Sequence, residues 1–335
     1  MVVHIVSETS YVNKGQGVHS AFIEHVKLMK EKNDIGVVVN QEGYGDIFHS
    51  HTYGPYYFWK GRKYKGKRIF TAHVIPDSVK GSFPVWRFWM PFVKLYLKKV
   101  YSYADVCIAI SPNVSNAIRD LGAHTNIVMI TNPVRIDRWK RTEEMRRNGR
   151  KKLGINSTDF LVMGAGQLEG RKGVDDFLEV AEAMPELKFV WVGGRPFGLM
   201  TEGIKRINAK ISKASSHIKF TGLLDFSEMP EMYAAADLFL FPSYQENCPL
   251  APLEAAASGM PVIFRDLKEY TTLYEHPYLK AATIGGFIDL IGLLKKDKCF
   301  YDEGIDTSKK LVEQFDKNAI RKKLIILYNR LNEAS

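Results

Sequence analysis

The sequence predicts an α/β protein built from two doubly wound parallel sheets. Short apolar runs rich in β-branched and aromatic residues alternate with helical patterns along the whole chain, the pattern of parallel strands joined by crossover helices. The runs fall into two sets separated by a polar stretch at 137–156. A length of 335 residues is enough for two domains with a core each.

The elements follow in order. Strands are expected at 2–7, 35–40, 46–50, 67–72, 105–110 and 127–130, then at 159–165, 188–193, 217–221, 237–241 and 261–264. A helix ending near Lys30 follows the first strand, another spans 83–101, and a third starts near Pro249. Leu311, Phe315, Ile320, Leu324 and Leu327 recur at roughly helical spacing and predict one amphipathic helix over 308–333. The Arg, Lys and Glu content of 137–156, with Asn148-Gly149, marks a linker. The expected domains are therefore 1–150 and 151–310, with a terminal segment 311–335 that can cross back to the first. Ligands of doubly wound sheets bind beyond the carboxyl ends of the strands, so two such domains facing each other would share one cleft.

Composition narrows the function classes. Residues 1–150 carry 23 Lys and Arg against 12 Asp and Glu, and residues 151–335 carry 24 against 25, which divides the net charge of +10 into +11 and −1. A basic first half implies an anionic partner, nucleic acid or an acidic membrane surface. Cys107, Cys248 and Cys299 are far apart, so neither a disulfide framework nor a zinc site is expected. Met1-Val2-Val3-His4-Ile5-Val6 reads as a buried strand without signal-peptide features. No window has about 18 uncharged apolar residues. A cytoplasmic location follows, with attachment to a membrane surface left open.

The sharpest motif is 241–261, which contains Glu246, Pro249, Leu250, Ala251, Glu254 and Gly259. A strand ends, a loop follows, proline opens a helix and glycine closes it. Backbone N–H groups around Leu250 and Ala251, at the positive end of the helix dipole, suit an anionic phosphate. The carboxylates of Glu246 and Glu254, eight residues apart, would serve different parts of one ligand.

This run resembles the E-x7-E motif of glycosyltransferase family 4, retaining enzymes of the GT-B class with two Rossmann-like domains. The resemblance extends over essentially the whole chain. It implies that Glu246 lies near the donor sugar and that Glu254 accepts hydrogen bonds from the donor ribose. Gly164-Ala165-Gly166-Gln167-Leu168-Glu169-Gly170-Arg171-Lys172-Gly173 is similar to the family segment whose arginine and lysine bind the diphosphate. Lys172 matches the lysine, Gln167 stands where the arginine is usual, and Arg171 could supply that cation from nearby. Gly193 and Leu224 lie in segments that resemble the loops around the nucleotide base. UDP is the expected nucleotide.

In the first half, Gly15 and Gly17 occupy a glycine-bearing turn that resembles the family loop facing the donor sugar and diphosphate. Thr71-Ala72-His73 resembles a family segment that puts a histidine beside the donor sugar, so His73 joins Glu246 and Lys172 as a candidate catalytic residue. Arg135 follows Asn132-Pro133-Val134 and would sit near the acceptor. His49 and His51 are expected to be packing residues.

Within 83–101, Trp86, Trp89, Met90, Val93, Leu97 and Val100 fall at helical spacing with Lys94 and Lys98 elsewhere on the wheel. Such a helix suits the boundary of an acidic bilayer, or packs its stripe on the sheet. Tyr56–Arg68 repeats the basic and aromatic mixture. Together with the Lys14-Gly15-Gln16-Gly17-Val18 loop and the segment Thr71–Ser78, this basic and aromatic stretch resembles bacterial diacylglycerol glycosyltransferases. The implied reaction moves glucose or galactose from UDP-glucose or UDP-galactose to a membrane glycolipid, monoglucosyldiacylglycerol, on the inner face of the cell membrane. The same resemblance implies no cofactor and no metal, since no DxD-type site is evident. A family 4 enzyme of capsule or lipopolysaccharide synthesis is the alternative acceptor reading. A nucleotide-sugar or nucleic-acid binder is the alternative outside enzymes, although the 241–261 motif has no use in a nucleic-acid binder, and no nucleic-acid partner is expected.

Overall fold

A computed structural model of the chain describes every residue except 13–16, 33, 42, 44, 53, 80–85, 195–203 and 334–335. The chain forms two compact units, the first from Met1–Lys80, Val85–Pro133 and Phe315–Ser335, the second chiefly from Val134–Gln314.

In the first unit the strands are β1 Val2–Val6, β2 Gly36–Val39, β3 Ile47–Ser50, β4 Lys67–Ala72, β5 Val106–Ala109 and β6 Asn126–Met129. They form one parallel sheet in the order β2-β1-β3-β4-β5-β6. Val3, Ile5, Ile47, Ile69 and Ile108 from the sheet pack with Phe22 and Met29 of the helix Gly17–Lys30. Ile320, Leu324, Leu327 and Tyr328 of the helix Lys317–Glu333 complete that core.

In the second unit the strands are β7 Leu161–Ala165, β8 Lys188–Val192, β9 Ile218–Phe220, β10 Leu238–Phe241, β11 Val262–Arg265 and β12 Leu279–Ala281. Their order is β12-β11-β10-β7-β8-β9, again parallel. Every residue of β7, β10 and β11 is buried, as central parallel strands covered on both faces must be. The core includes Phe177, Phe189, Trp191, Leu238, Ile263 and Phe287.

Strand order reverses between β1 and β3 in one sheet and between β7 and β10 in the other. Loops leaving these neighbouring strands diverge and leave a crevice, the favoured place for a ligand.

Three expectations need correction. The stretch 137–156 is a docked part of the second unit, with helices at Ile136–Trp139 and Glu143–Leu153. Thr142 caps the longer helix by accepting from Met145 N at 3.1 Å. Arg146 and Arg150 pair with Asp237 at 2.6 and 2.7 Å. A Cβ on Gly149 would meet the Glu231 carbonyl at 2.1 Å, so the helix lies against its neighbour. Part of the positive excess counted over 1–150 is therefore internal pairing. The boundary between units falls at 133/134, not 150/151. The single helix expected over 308–333 is two, Lys298–Glu313 and Lys317–Glu333, broken where the chain returns to the first unit.

Candidate active site

Both loops at the second sheet's reversal point carry the motif residues. After β7, Gly166 has φ +147 and Gly173 has φ +73, and between them Gly170–Lys172 makes one 3-10 turn. After β10, the chain runs through Ser243, Glu246 and Pro249 into the helix Leu250–Ala257. Tyr244 N donates to the Arg171 carbonyl at 2.8 Å and ties the two loops together.

Lys172 Nζ contacts Glu246 Oε1 at 2.5 Å, with 16% and 9% of the side chains exposed. Arg171 stands 3.9 Å from the same oxygen, donates to the Gln245 carbonyl at 3.1 Å and pairs with Glu169 at 3.2 Å. Ser243 Oγ donates to Glu246 Oε1 at 2.7 Å. Burial pushes the Lys172 pKa down, although Glu246 opposes it. Burial alone would raise the Glu246 pKa, but the charges of Lys172 and Arg171 outweigh it and hold the carboxyl below its usual range. Arg171 Nε is buried and has no hydrogen-bond partner among the described residues. A buried donor left in that state is costly until an acceptor arrives.

No side chain caps the helix Leu250–Ala257, whose N-cap is Pro249. Its first-turn N–H groups are the kind of donors a phosphate takes. Glu254, one turn in, is buried and accepts from the Tyr233 hydroxyl at 2.8 Å. Burial, then the Glu254 charge, pushes the Tyr233 pKa well up, so its phenol keeps its proton and donates. Gly193, φ +135, leaves β8, and a Cβ there would meet the Gly166 carbonyl at 2.1 Å. Its N–H donates to the Gly222 carbonyl at 3.1 Å. Leu224 is half-buried in the loop after β9.

The structure thus brings Arg171, Lys172, Glu246, Leu250, Ala251 and Glu254 to the β7/β10 loops or the helix that follows. Gly15 lies outside the described residues. Gly17 starts the helix Gly17–Lys30 in open space, with nothing within 4 Å of an added Cβ. Arg135, expected in the first domain, belongs to the second unit and faces Asp137 at 3.7 Å. Trp89 is 55% exposed, not part of a buried stripe; among the described residues of the helix Trp86–Ser102, Leu97, Val100 and Tyr101 are buried. The side chain of Trp86 lies outside the described residues; Lys94 is exposed and Lys98 half-buried.

Sequence reasoning missed Tyr233, Ser243 and Arg265. Arg265 pairs with Asp176, donates to the Pro242 carbonyl at 2.9 Å and stacks 3.9 Å over the Tyr244 ring. It braces the end of β10.

In the first unit His73, just past β4, is buried with His25, His49 and His51. His49 and His51 are more than packing residues, since both ring nitrogens of each are hydrogen-bonded. His25, His49 and His51 bring ring nitrogens within 4.8 Å of one another, a grouping that could hold a metal ion. Burial lowers the pKa of all four: His25 to about 3, His73 to about 4, His49 and His51 well below the usual 6.5. The unfolded chain takes up protons below about 6.5 that the folded one refuses, so acid favours unfolding. Stability should be lower at pH 5 than at pH 7, the loss growing below about pH 6.5 toward about 1.4 kcal/mol per pH unit for each such histidine. Urea midpoints at the two pH values check this, and equal midpoints would contradict it.

Comparison with known proteins follows the two units. The model "Glycosyltransferase Family 4" matches residues 41–138, and "Glycosyl transferases group 1" matches residues 145–278. Alpha-galactosylglucosyldiacylglycerol synthase of Streptococcus pneumoniae is 35% identical over 278 residues, 80% of this chain and 73% of that protein. Processive diacylglycerol alpha-glucosyltransferase of Acholeplasma laidlawii is 28% identical over 271 residues, 81% and 80%. Anabaena HepE, solved with UDP and glucose, is similar with TM-score 0.78 at 17% identity, over 98% of this chain and 100% of that one. WaaG, a glycosyltransferase of lipopolysaccharide biosynthesis, gives TM-score 0.68 at 16% identity, over 97% and 98%. The fold class is GT-B. The chain belongs to glycosyltransferase family 4, and it is a glycosyltransferase.

Proposed function

We propose that the enzyme moves glucose or galactose from a UDP-sugar to a membrane glycolipid, converting monoglucosyldiacylglycerol to a diglycosyldiacylglycerol with retention and without a metal ion. The observation that carries the donor half is the convergence of Lys172, Arg171 and an uncapped helix start on one reversal point, with Glu254 held by Tyr233. Departing UDP gains negative charge as the bond between its phosphate oxygen and the anomeric carbon breaks. Preorganised cations and N–H groups stabilise that charge. The acceptor hydroxyl attacks from the same face, its oxygen bonds to the anomeric carbon, and its proton passes to the departing phosphate oxygen. Glu246 and His73 position the donor sugar. The diacylglycerol activities named for the two curated relatives support the acceptor class.

Attachment to an anionic bilayer, on the inner face of the cell membrane, accords with the surface. Phe88, Trp89, Phe92 and Leu95 are exposed on the helix Trp86–Ser102, beside exposed Arg87 and Lys94. Tyr56 and Trp59 on Pro55–Gly61 are exposed too, with Lys60 over Tyr56 and Arg62 over Trp59, each at 4.9 Å. No described helix is long and apolar enough to cross a membrane. Aromatics beside cations suit the headgroup boundary. Replacing Phe88, Trp89 and Phe92 together with serine should lower binding to anionic vesicles at least about tenfold and leave UDP binding unchanged. Flotation assays measure the first and calorimetry the second. Undiminished vesicle binding would remove this surface from the account.

The decisive assay incubates purified protein with UDP-glucose or UDP-galactose and monoglucosyldiacylglycerol in anionic vesicles, with and without EDTA. Diglycosyldiacylglycerol formation at equal rates in both supports the proposal. Transfer only to water-soluble glycans overturns the acceptor, and loss of activity in EDTA overturns metal independence.

A further inference from the structure

Six buried side chains of the first unit form one hydrogen-bonded line. Thr71 Oγ1 meets His49 Nε2 at 2.7 Å, and His49 Nδ1 meets the Tyr328 hydroxyl at 2.7 Å. That hydroxyl meets His25 Nε2 at 3.0 Å, and His25 Nδ1 meets His51 Nε2 at 2.7 Å. His51 Nδ1 then meets His73 Nε2 at 3.0 Å. No member is more than 8% exposed.

The line has a direction. Four neutral imidazoles carry one hydrogen each, and the two hydroxyls add one each, so six hydrogens serve five links. Depressed histidine pKa values keep the rings neutral at pH 7. One hydrogen must point out of the line. Among the described residues the Thr71 hydroxyl has His49 as its hydrogen-bond partner, and the Tyr328 hydroxyl has only His49 and His25. Turning either hydrogen away would orphan a buried donor, which is the costly outcome. Thr71 therefore donates to His49, His49 to Tyr328, Tyr328 to His25, His25 to His51, and His51 to His73 Nε2. The sixth hydrogen stays on His73 Nδ1.

We propose that this line fixes His73 as the Nδ1–H tautomer, with Tyr328, His25 and His51 as positioning residues that make it a hydrogen-bond donor at Nδ1. An N–H there matches an oxygen ligand such as a sugar hydroxyl, and it rules out Nδ1 as a proton acceptor. Tyr328 lies on the helix Lys317–Glu333, so the end of the chain takes part in setting the state of His73. A metal among His25, His49 and His51 is the competing use of these rings. His25 Nδ1 and His51 Nε2 are 2.7 Å apart. Two nitrogens about 2.0–2.1 Å from a tetrahedral zinc would stand roughly 3.3 Å apart. A shared hydrogen accounts for the shorter distance.

The test is an imidazole nitrogen–proton correlation spectrum of full-length protein labelled with nitrogen-15 histidine, without substrate. The expected result is a protonated Nδ1 and a bare Nε2 on His73. Thr71→Val, which removes the initial donor, should give a mixture of both His73 tautomers, and Thr71→Ser should restore the wild-type pattern. A wild-type His73 protonated at Nε2 overturns the proposal, as does a Thr71→Val spectrum identical to wild type. Zinc added at one equivalent should leave His25, His49 and His51 unshifted; a joint shift of all three overturns it. The kinetic arm rests on the proposed reading of His73 as a donor-sugar contact. There Tyr328→Phe should lower kcat about tenfold, the loss of one hydrogen bond, with the donor KM nearly unchanged. An unchanged kcat counts against the positioning role. If the wild type transfers no sugar, the functional reading fails while the spectrum still decides the tautomer.

Discussion

Replacing Lys172 with alanine is expected to lower kcat/KM for the UDP-sugar by about 100- to 1,000-fold, the usual consequence of removing one preorganised charge from developing negative charge. The ammonium sits between the two loops of the β7/β10 reversal point, in contact with Glu246. The variant alone is ambiguous, because it strips a buried carboxylate of its main counter-charge. An unpaired buried charge destabilises by about 3–5 kcal/mol, and Arg171 at 3.9 Å compensates only in part. The pair Lys172→Ala with Glu246→Gln separates the effects. Removing both charges should bring the unfolding midpoint back toward wild type and leave transfer as slow as in the single variant. Activity restored in the double variant would mean that Lys172 serves only to neutralise Glu246.

The second large effect is structural. Gly173→Ala should destabilise the protein by at least about 3 kcal/mol and abolish measurable UDP binding. At φ +73 an alanine is strained by about 1–2 kcal/mol, and its Cβ would stand 2.2 Å from the Pro242 carbonyl oxygen and 2.7 Å from its carbon. Neither is the end of a flexible side chain. The loop after β7 would have to separate from the end of β10, which parts Lys172 from Glu246. Gly259 supplies the control, with φ +84 but nothing within 4 Å of an added Cβ. Gly259→Ala should cost only the backbone strain. Thermal unfolding of both variants measures the difference, and equal losses would mean that the close approach of the two loops contributes nothing.

Much of this architecture is legible in the sequence because parallel strands covered on both faces must be continuously apolar. Leu161–Ala165, Leu238–Phe241 and the Val262-Ile263-Phe264 run of β11 read as strands at once. Leu279–Ala281 is three residues long, has a lysine at its centre and lies at a sheet edge, so neither periodicity nor composition marks it. The segment 137–156 was misread because polarity resembles solvent exposure. Its arginines instead reach Asp237 and the backbone carbonyls of Ala234, Ala235 and Ala236, partners about 90 residues away that no local pattern reveals. The donor side was readable because Glu246, Pro249 and Glu254 are close in sequence and their strand–loop–helix context has a direct electrostatic meaning. Tyr233, which holds Glu254, comes from a different helix and carries no such mark. The histidine line had a partial signal. His49 on β3 and His51 just past its end, like Thr71 on β4 and His73 just past its end, are two residues apart, the spacing that puts side chains on one side of an extended chain. Nothing local ties them to His25 or Tyr328, which only the packing of two helices delivers.

Under the proposed function the second unit holds a nucleotide diphosphate at the β7/β10 reversal point, with Glu254 on the ribose. Calorimetric titration of UDP into the wild type and into Glu254→Ala tests it most directly. Glu254→Gln is measured beside them, because it keeps an acceptor for the Tyr233 hydroxyl. One UDP per wild-type chain is expected, with at least about tenfold weaker binding in both variants, the cost of losing hydrogen bonds to a charged acceptor. Wild-type affinity retained by both would contradict it.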